Sequence, residues 1–326
     1  MERYLAVVGA GPVGSIAAAK LTSVGQKVII VDTSAARCEQ IRQHGLCVKG
    51  KQTLTVKPEA VLSSLRELKG RPLHTLILCT KTWSLKSVLP LLAEVLDPAT
   101  LIINFQNGIG PEEEIARFFP RENLARAIVS YAGDVGPDGA VTMHWFTPPN
   151  YFGPLETVHL AEFELLARQL TDAGLTTQVL GCHEIKARVF YKTILNSALN
   201  ALCANAGITM RQAMTFPHTR NLTRLLLSEG LSVAAAVGYN YGENAMDECI
   251  AYLEGGGDHL PSMWTDLQHG SRTEIEYING QIARTGLMFK SVDVAVNLFF
   301  TAMIITQEIK SGARQPDDIP EYLKHF

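Results

Sequence analysis

Gly9-Ala-Gly11-Pro12-Val13-Gly14 sets three glycines at GxGxxG spacing, directly after an apolar run and at the opening of a helical pattern. In that setting each glycine has its own use: a tight turn, close approach of backbone to a pyrophosphate, and close packing of helix on strand. The helix N-terminus adds unpaired N–H groups and partial positive charge, so the expected ligand is a dinucleotide. Asp32 lies 18 residues past Gly14, at the end of the next apolar run. A carboxylate there accepts hydrogen bonds from a ribose and repels a 2'-phosphate, which favours NAD over NADP. Two other readings stay open: Asp32 as a mere N-cap of a helix beginning near Ala35, and Arg37 swinging toward a phosphate.

Further along, Lys81 follows the third apolar run in Cys79-Thr-Lys-Thr82, and Asn107 follows the fourth in Gln106-Asn-Gly108. Both would stand at carboxyl ends of parallel strands, where open α/β sheets bind their ligands. Asn107-Gly108 also fits a simple turn. Lys192, Asn196 and Asn200 recur at spacing four in a helical pattern and so share one side of it. Their neighbours Phe190, Ile194, Leu195 and 198–202 leave little room for a polar exterior, and Asn is a poor choice on a solvated helix. A polar-lined cleft is favoured over a solvated face.

The elements that would carry these residues alternate between strand and helix up to about Leu180. Tyr4-Leu-Ala-Val-Val8, Lys27-Val-Ile-Ile-Val31, Thr75-Leu-Ile-Leu-Cys79 and Leu101-Ile-Ile-Asn104 are near-continuous apolar runs, as strands covered on both faces require. The expectation is a doubly wound α/β domain with a parallel sheet. Residues 140–152 should add a hairpin or edge strands to that sheet, and a helix over 161–173 with a short strand at 176–180 should close it. After Gly181 the pattern turns helical, over 185–205, 219–238, 243–254 and 291–311, with a loop at Gly255-Gly-Gly257.

Composition narrows the classes. The chain has 326 residues, 47% of them hydrophobic and 19% charged, which is ordinary globular composition for roughly two domains. A formal charge of −3 offers no general attraction to nucleic acid or anionic lipid. The six cysteines are scattered, with no CxxC, so neither a disulfide nor a zinc site is expected, and a cytoplasmic location fits reduced thiols. Tyr4 to Gly14 lacks a basic leader and does not read as a signal peptide. Val292 to Ile305, interrupted by Asp293 and Asn297, is too short to span a membrane, and a soluble protein is expected.

Four segments in order resemble the ketopantoate reductase family: Gly9 to Gly14, Gln106-Asn-Gly108, Lys192-Thr-Ile-Leu-Asn196-Ser-Ala-Leu-Asn200, and Pro261-Ser-Met-Trp-Thr-Asp266 followed by Thr273-Glu-Ile-Glu-Tyr-Ile-Asn-Gly280. The resemblance spans about residues 1 to 312. It implies an N-terminal Rossmann-type dinucleotide-binding domain over 1–182, an all-helical substrate and catalytic domain over 183–326, and an active site in the cleft between. Lys192 would be the general acid that protonates the carbonyl oxygen, and Glu274 would help bind substrate and position that lysine. Asn196, Asn200 and Ser262 would hold the substrate, while Lys81 and Asn107 would face the nicotinamide side of the cofactor. On its own, Glu274 reads as a solvated carboxylate.

Three positions depart from the family pattern. Asp32 stands where a basic residue is frequent, His259 replaces an asparagine three positions before the serine, and Ala201 replaces a frequent proline. The first bears on the choice between NAD and NADP, the second on the substrate. The resulting expectation is an NAD(P)H-dependent reductase of a small 2-oxo acid, with hydride transfer from the nicotinamide and Lys192 as acid. It has no nucleic-acid or membrane partner, and a homodimer is the assembly left open. Two alternatives remain: an NAD-dependent 2-hydroxy acid dehydrogenase of the same family with a bulkier substrate such as mandelate, and a non-catalytic dinucleotide-binding redox sensor.

Overall fold

The computed structural model describes residues 3–50 and 53–324. Packing divides the chain into one unit of Met1–Gln106 and Pro111–Lys186, and a second of Asn107–Gly110 and Ala187–Phe326. The first unit contains β1 (Tyr4–Val8), α1 (Pro12–Ser23), β2 (Val28–Val31), α2 (Ala35–His44), β3 (Leu46–Gly50), β4 (Leu54–Val56), β5 (Ala60–Leu62), β6 (Leu73–Leu78), α3 (Leu85–Val95) and β7 (Leu101–Asn104). It continues through α4 (Pro111–Ile115), β8 (Leu124–Ile128), β9 (Tyr131–Val135), β10 (Val141–Phe146), β11 (Asn150–Pro154), α5 (Leu160–Asp172) and β12 (Thr177–Val179).

Eight strands form the main sheet in the order β12-β11-β8-β7-β6-β1-β2-β5. Every pairing is parallel except β11 with β8. Strand residues alternate between two apolar layers. Leu5, Val7, Val28 and Ile30 pack with α1 and α5, while Ala6, Val8, Ile29 and Val31 pack with α3 and Ile115. Period-two side-chain direction thus gives a sheet covered on both faces, which is the doubly wound arrangement.

Of residues 140–152, expected to add strands to this sheet, β11 does so beside β8, whereas β10 belongs to a second sheet of four strands, β4-β3-β10-β9, which corrects the placement of the first half. Burial of the two strands explains the split. In β10 Val141 and Met143 are buried and the remaining residues less so, as suits a strand with one face covered, whereas β11 is buried at four of five positions. Helix α1 packs against β3, β9 and β10 as well as β1 and β2, so Ala17, Ala18 and Ala19 are fully enclosed. The Tyr131 hydroxyl donates to the Val13 carbonyl at 3.1 Å and ties the second sheet to the first turn of α1.

The divide between the units falls within α6 (Cys182–Ala206). Beyond it come α7 (Met210–Thr215), α8 (Pro217–Ala236), α9 (Ala245–Glu254), α10 (Ser262–Gln268), α11 (Asn279–Gly286), α12 (Ala295–Lys310) and α13 (Glu321–Lys324). Helices α6, α8, α9, α11 and α12 share one apolar core that includes Ile194, Ala198, Leu226, Cys249, Ile282 and Ile304. All six cysteines are free thiols. Among the described residues no helix is long and apolar enough to cross a membrane, and no group of His, Cys, Asp or Glu is placed to hold a metal ion.

Candidate active site

Between β1 and α1 the three glycines divide their work. Gly9 takes φ +102°, and a Cβ there would lie 2.9 Å from the Cys79 carbonyl and the Thr80 nitrogen. On Gly14 a Cβ would come within 2.0 Å of the Gly9 oxygen. Nothing lies within 4 Å of the Cβ that Gly11 lacks. Gly11 is the N-cap of α1, with φ −66° and ψ −176°, no side-chain cap, and Pro12 opening the helix. Two glycines therefore serve close packing, and the third leaves open space against the N–H groups of a helix N-terminus. That cradle suits a phosphate.

Asp32 does not cap α2. Ser34 does, its hydroxyl accepting from the Arg37 N–H at 3.2 Å. The Asp32 carboxylate instead accepts from the Ala10 N–H at 2.7 Å and the Ser34 N–H at 2.8 Å, bracing the glycine loop while leaving lone pairs on both oxygens. Arg37 is buried and fully engaged: Nε donates to the Ala10 carbonyl at 3.1 Å, Nη1 to the Gly139 carbonyl at 2.5 Å and Nη2 to Ser15 Oγ at 2.9 Å. A swing toward a bound phosphate would break all three bonds.

Lys81 follows β6 and precedes a single 3-10 turn, Thr82–Ser84. Its carbonyl accepts from the Ser84 N–H at 3.0 Å and the Ser84 hydroxyl at 2.7 Å. The buried Gln106 amide donates to the Thr80 carbonyl at 2.9 Å and the Thr80 hydroxyl at 3.1 Å, linking the ends of β6 and β7 just before Lys81.

In the second unit Asn107–Gly110 packs with helical residues far along the chain. Asn107 Nδ2 donates to Glu274 Oε2 at 3.3 Å, and the Ile109 N–H donates to the Tyr277 carbonyl at 2.9 Å. Gly108 takes φ +84°, and a Cβ there would meet the Tyr277 oxygen at 2.3 Å, so this tetrapeptide needs its glycine. Glu274 is buried at 6% exposure, which corrects its reading as a solvated carboxylate.

Lys192 and Asn196 are half-buried on α6 and Asn200 is buried, so the stripe is not a solvated face. Its register is held from behind. Asn279 Nδ2 donates to the Ser197 carbonyl at 2.9 Å and Asn297 Oδ1 at 3.1 Å, and Asn297 Nδ2 donates to Glu229 Oε2 at 2.7 Å. The same carboxylate accepts from the Val296 and Asn297 N–H groups and caps α12, while burial pushes its pKa up. Ser262 is the first residue of α10 and is exposed, as is His259 before it.

The family model described as Ketopantoate reductase PanE/ApbA matches residues 5–156, and the one described as its C terminal matches 184–308. The chain belongs to the ketopantoate reductase family. It is accordingly an oxidoreductase, and the sensor reading gives way. The 2-dehydropantoate 2-reductase of Archaeoglobus fulgidus is 28% identical over 94% of this chain and 97% of its own. The namesake from Pyrococcus horikoshii is 26% identical over 94% and 98%. Among solved structures, a ternary complex of D-mandelate dehydrogenase with NADH and anilino(oxo)acetate superposes with TM-score 0.85 and 25% identity, covering 95% of this chain and 100% of that one. A ketopantoate reductase from Ralstonia eutropha gives TM-score 0.84 at 24% identity, covering 95% and 99%, and speaks for the fold alone.

In this ketopantoate reductase family member, sequence reasoning passed over Gln106, Glu229, Asn279, Asn297 and Glu308. One signal was available for the last two. Asn297, Thr301, Ile304 and Glu308 recur at spacings of four, three and four, on the core stripe of α12, and all four are buried to 3% exposure or less. Gln106 and Asn279 stand inside quoted motifs, where their neighbours drew the attention.

Proposed function

We propose that the chain reduces a small 2-oxo acid with a reduced nicotinamide dinucleotide, the first unit holding the cofactor and the second the substrate. The observation that carries this reading is the hydrogen bond from Asn107 to the buried Glu274. These two residues, 167 positions apart, match the same family site in the sequence. Gly9, Gly11, Pro12, Val13 and Gly14 form the phosphate cradle, with Asp32 at the ribose and Lys81 and Asn107 toward the nicotinamide. A bound reduced nicotinamide supplies the hydride.

The protein's own residues supply orientation and a proton. Asn196, Asn200 and Ser262 hydrogen-bond the substrate, and the half-buried Lys192 ammonium donates to the carbonyl oxygen as negative charge develops there. Glu274, fixed by Asn107, orients substrate and lysine. The test is turnover of a panel of 2-oxo acids, ketopantoate included, followed by loss of reduced-nicotinamide absorbance with NADH and with NADPH. No turnover on any member overturns the reading.

Cofactor choice follows from Asp32. Unit charges ~4 Å apart repel by roughly 4 kcal/mol at a surface-like dielectric before screening, so NADH should exceed NADPH by about tenfold or more in kcat/KM. The engagement of Arg37 with Ala10, Ser15 and Gly139 supports this, since it removes the nearby cation from contention. Asp32→Ala should narrow the ratio. Wild-type preference for NADPH, or an unmoved ratio in the variant, counts against a ribose role.

For the substrate, ketopantoate should be surpassed by at least one other 2-oxo acid. His259 brings an imidazole where the family has an amide, and a lost polar contact commonly costs ~1–3 kcal/mol. Ketopantoate ranking first by kcat/KM would defeat this. The likeness to the NADH-bound D-mandelate dehydrogenase supports a second reading, an NAD-dependent dehydrogenase of bulkier 2-hydroxy acids. Running the same panel in the oxidative direction separates the two.

A further inference from the structure

Thr273, immediately before Glu274, is held by a fully buried pair of opposite charges. Glu308 Oε1 accepts from the Thr273 N–H at 2.7 Å and from the Thr273 hydroxyl at 2.6 Å, and Glu308 Oε2 accepts from Arg314 Nε at 2.6 Å. Both side chains of the pair are 0% exposed. The Thr273 hydroxyl in turn accepts from the Ile275 N–H at 3.2 Å, so one hydroxyl brackets Glu274 on both sides. Arg314 also donates to Glu276 and to the Asp318 carbonyl, and Arg272 donates to Glu276 and Asp318. The backbone or side chains of 272, 273, 275 and 276 are thus all engaged around the one carboxylate that Asn107 meets.

Energetics give this arrangement its meaning. A buried ion pair is a poor source of stability, because desolvation of both charges offsets their attraction, and apolar side chains of similar volume commonly serve as well. What such a pair does supply is direction, since its hydrogen bonds are satisfied in one geometry only. Here the Glu308 carboxylate accepts from Thr273 on one oxygen and from Arg314 on the other.

We propose that Glu308, through Thr273, is a positioning residue that sets the orientation of Glu274 for catalysis. This rests on the role given to Glu274 under the proposed function. Its mechanism is indirect: Glu308 touches no reacting atom and acts by fixing the peptide on either side of Glu274. A displacement of about 1 Å in a reacting group commonly costs up to ~10²-fold in rate.

A double-mutant cycle on the full-length protein tests it, with the best substrate of the panel. Glu308→Leu should lower kcat by about tenfold or more and leave the cofactor KM within about twofold. In a Glu274→Ala background, Glu308→Leu should cost less than about twofold further, because the group it orients is gone. Equal losses in both backgrounds, or an unchanged kcat in the single variant, overturn the proposal and leave the role of Glu274 standing. A silent Glu274→Ala overturns the site reading instead, and this proposal with it. Should Glu308→Leu not fold, Thr273→Val removes only the hydroxyl's bonds at nearly constant volume. The same cycle then applies, with a loss of about threefold or more expected in the wild-type background.

Discussion

Replacing Lys192 by alanine should lower kcat by at least ~10²-fold and leave the affinity for the cofactor little changed, the loss expected when a general acid worth ~10²–10⁴ is removed. The two parts of this result have separate origins. The loop of Gly9 to Gly14, proposed to hold the cofactor, belongs to the first unit, and Lys192 is a residue of α6 in the second. Its neighbours on the stripe, Asn196 and Asn200, have no proton to give at the required acidity. Lys192→Arg should not restore turnover, since a guanidinium keeps the charge but stays protonated in proteins. Steady-state kinetics with saturating cofactor, alongside direct binding of the dinucleotide to each variant, provide the check. A folded Lys192→Ala enzyme with near-normal kcat takes Lys192 out of the mechanism.

Alanine at Gly11 and alanine at Gly14 should fail in opposite ways. Gly11→Ala places its methyl in open space on backbone that any residue adopts, so thermal stability should stay within about 0.5 kcal/mol of wild type. The same methyl would fill the open space proposed to take a phosphate at the opening of α1. Each hydrogen bond to a charged group contributes about 1.5–3 kcal/mol, so displacing the phosphate should weaken dinucleotide binding by ~10²-fold. Gly14→Ala must instead push the Gly9 carbonyl away from a contact of 2.0 Å, an overpacking that costs about 1–3 kcal/mol and lowers Tm as well as affinity. Thermal melts of the free proteins and titrations with the dinucleotide separate the two effects. A Gly11→Ala variant that binds normally would falsify the cradle.

The parts of this molecule that announced themselves did so through local pattern. Four strands of the main sheet, β1, β2, β6 and β7, showed as unbroken apolar runs because both of their faces are covered, and the glycine loop showed because GxGxxG sits between strand and helix. The second sheet stayed hidden for the converse reason. Its strands are half-covered, and β3 pairs with β10 across some ninety residues, a pairing carried by tertiary packing alone. Asp32 and Ser34 are both good caps two positions apart, so propensity could not choose between them, and the Asx turn closed by the Ser34 N–H decides it. Glu274 looked solvated because its environment comes from Asn107 and its supports from Glu308 and Arg314, none of them local. Long-range burial of a charged residue leaves little trace in the residues beside it.

The tetrapeptide Asn107–Gly110 has a consequence for how such a chain can be divided and inherited. It packs with the helical unit yet is encoded inside the stretch that builds the sheet, so the polypeptide passes from one unit to the other three times, at 106/107, 110/111 and 186/187. No single cut yields two whole modules. A fragment starting at Ala187 would lack the amide that faces Glu274 and the N–H that meets the Tyr277 carbonyl, and would carry a carboxylate and a backbone oxygen stripped of those donors. Recombination that exchanges the helical half between relatives at one crossover would therefore pair one parent's Glu274 segment with the other parent's Asn107 loop. Chimaeras of this family should survive or fail according to whether these two short segments come from the same ancestor.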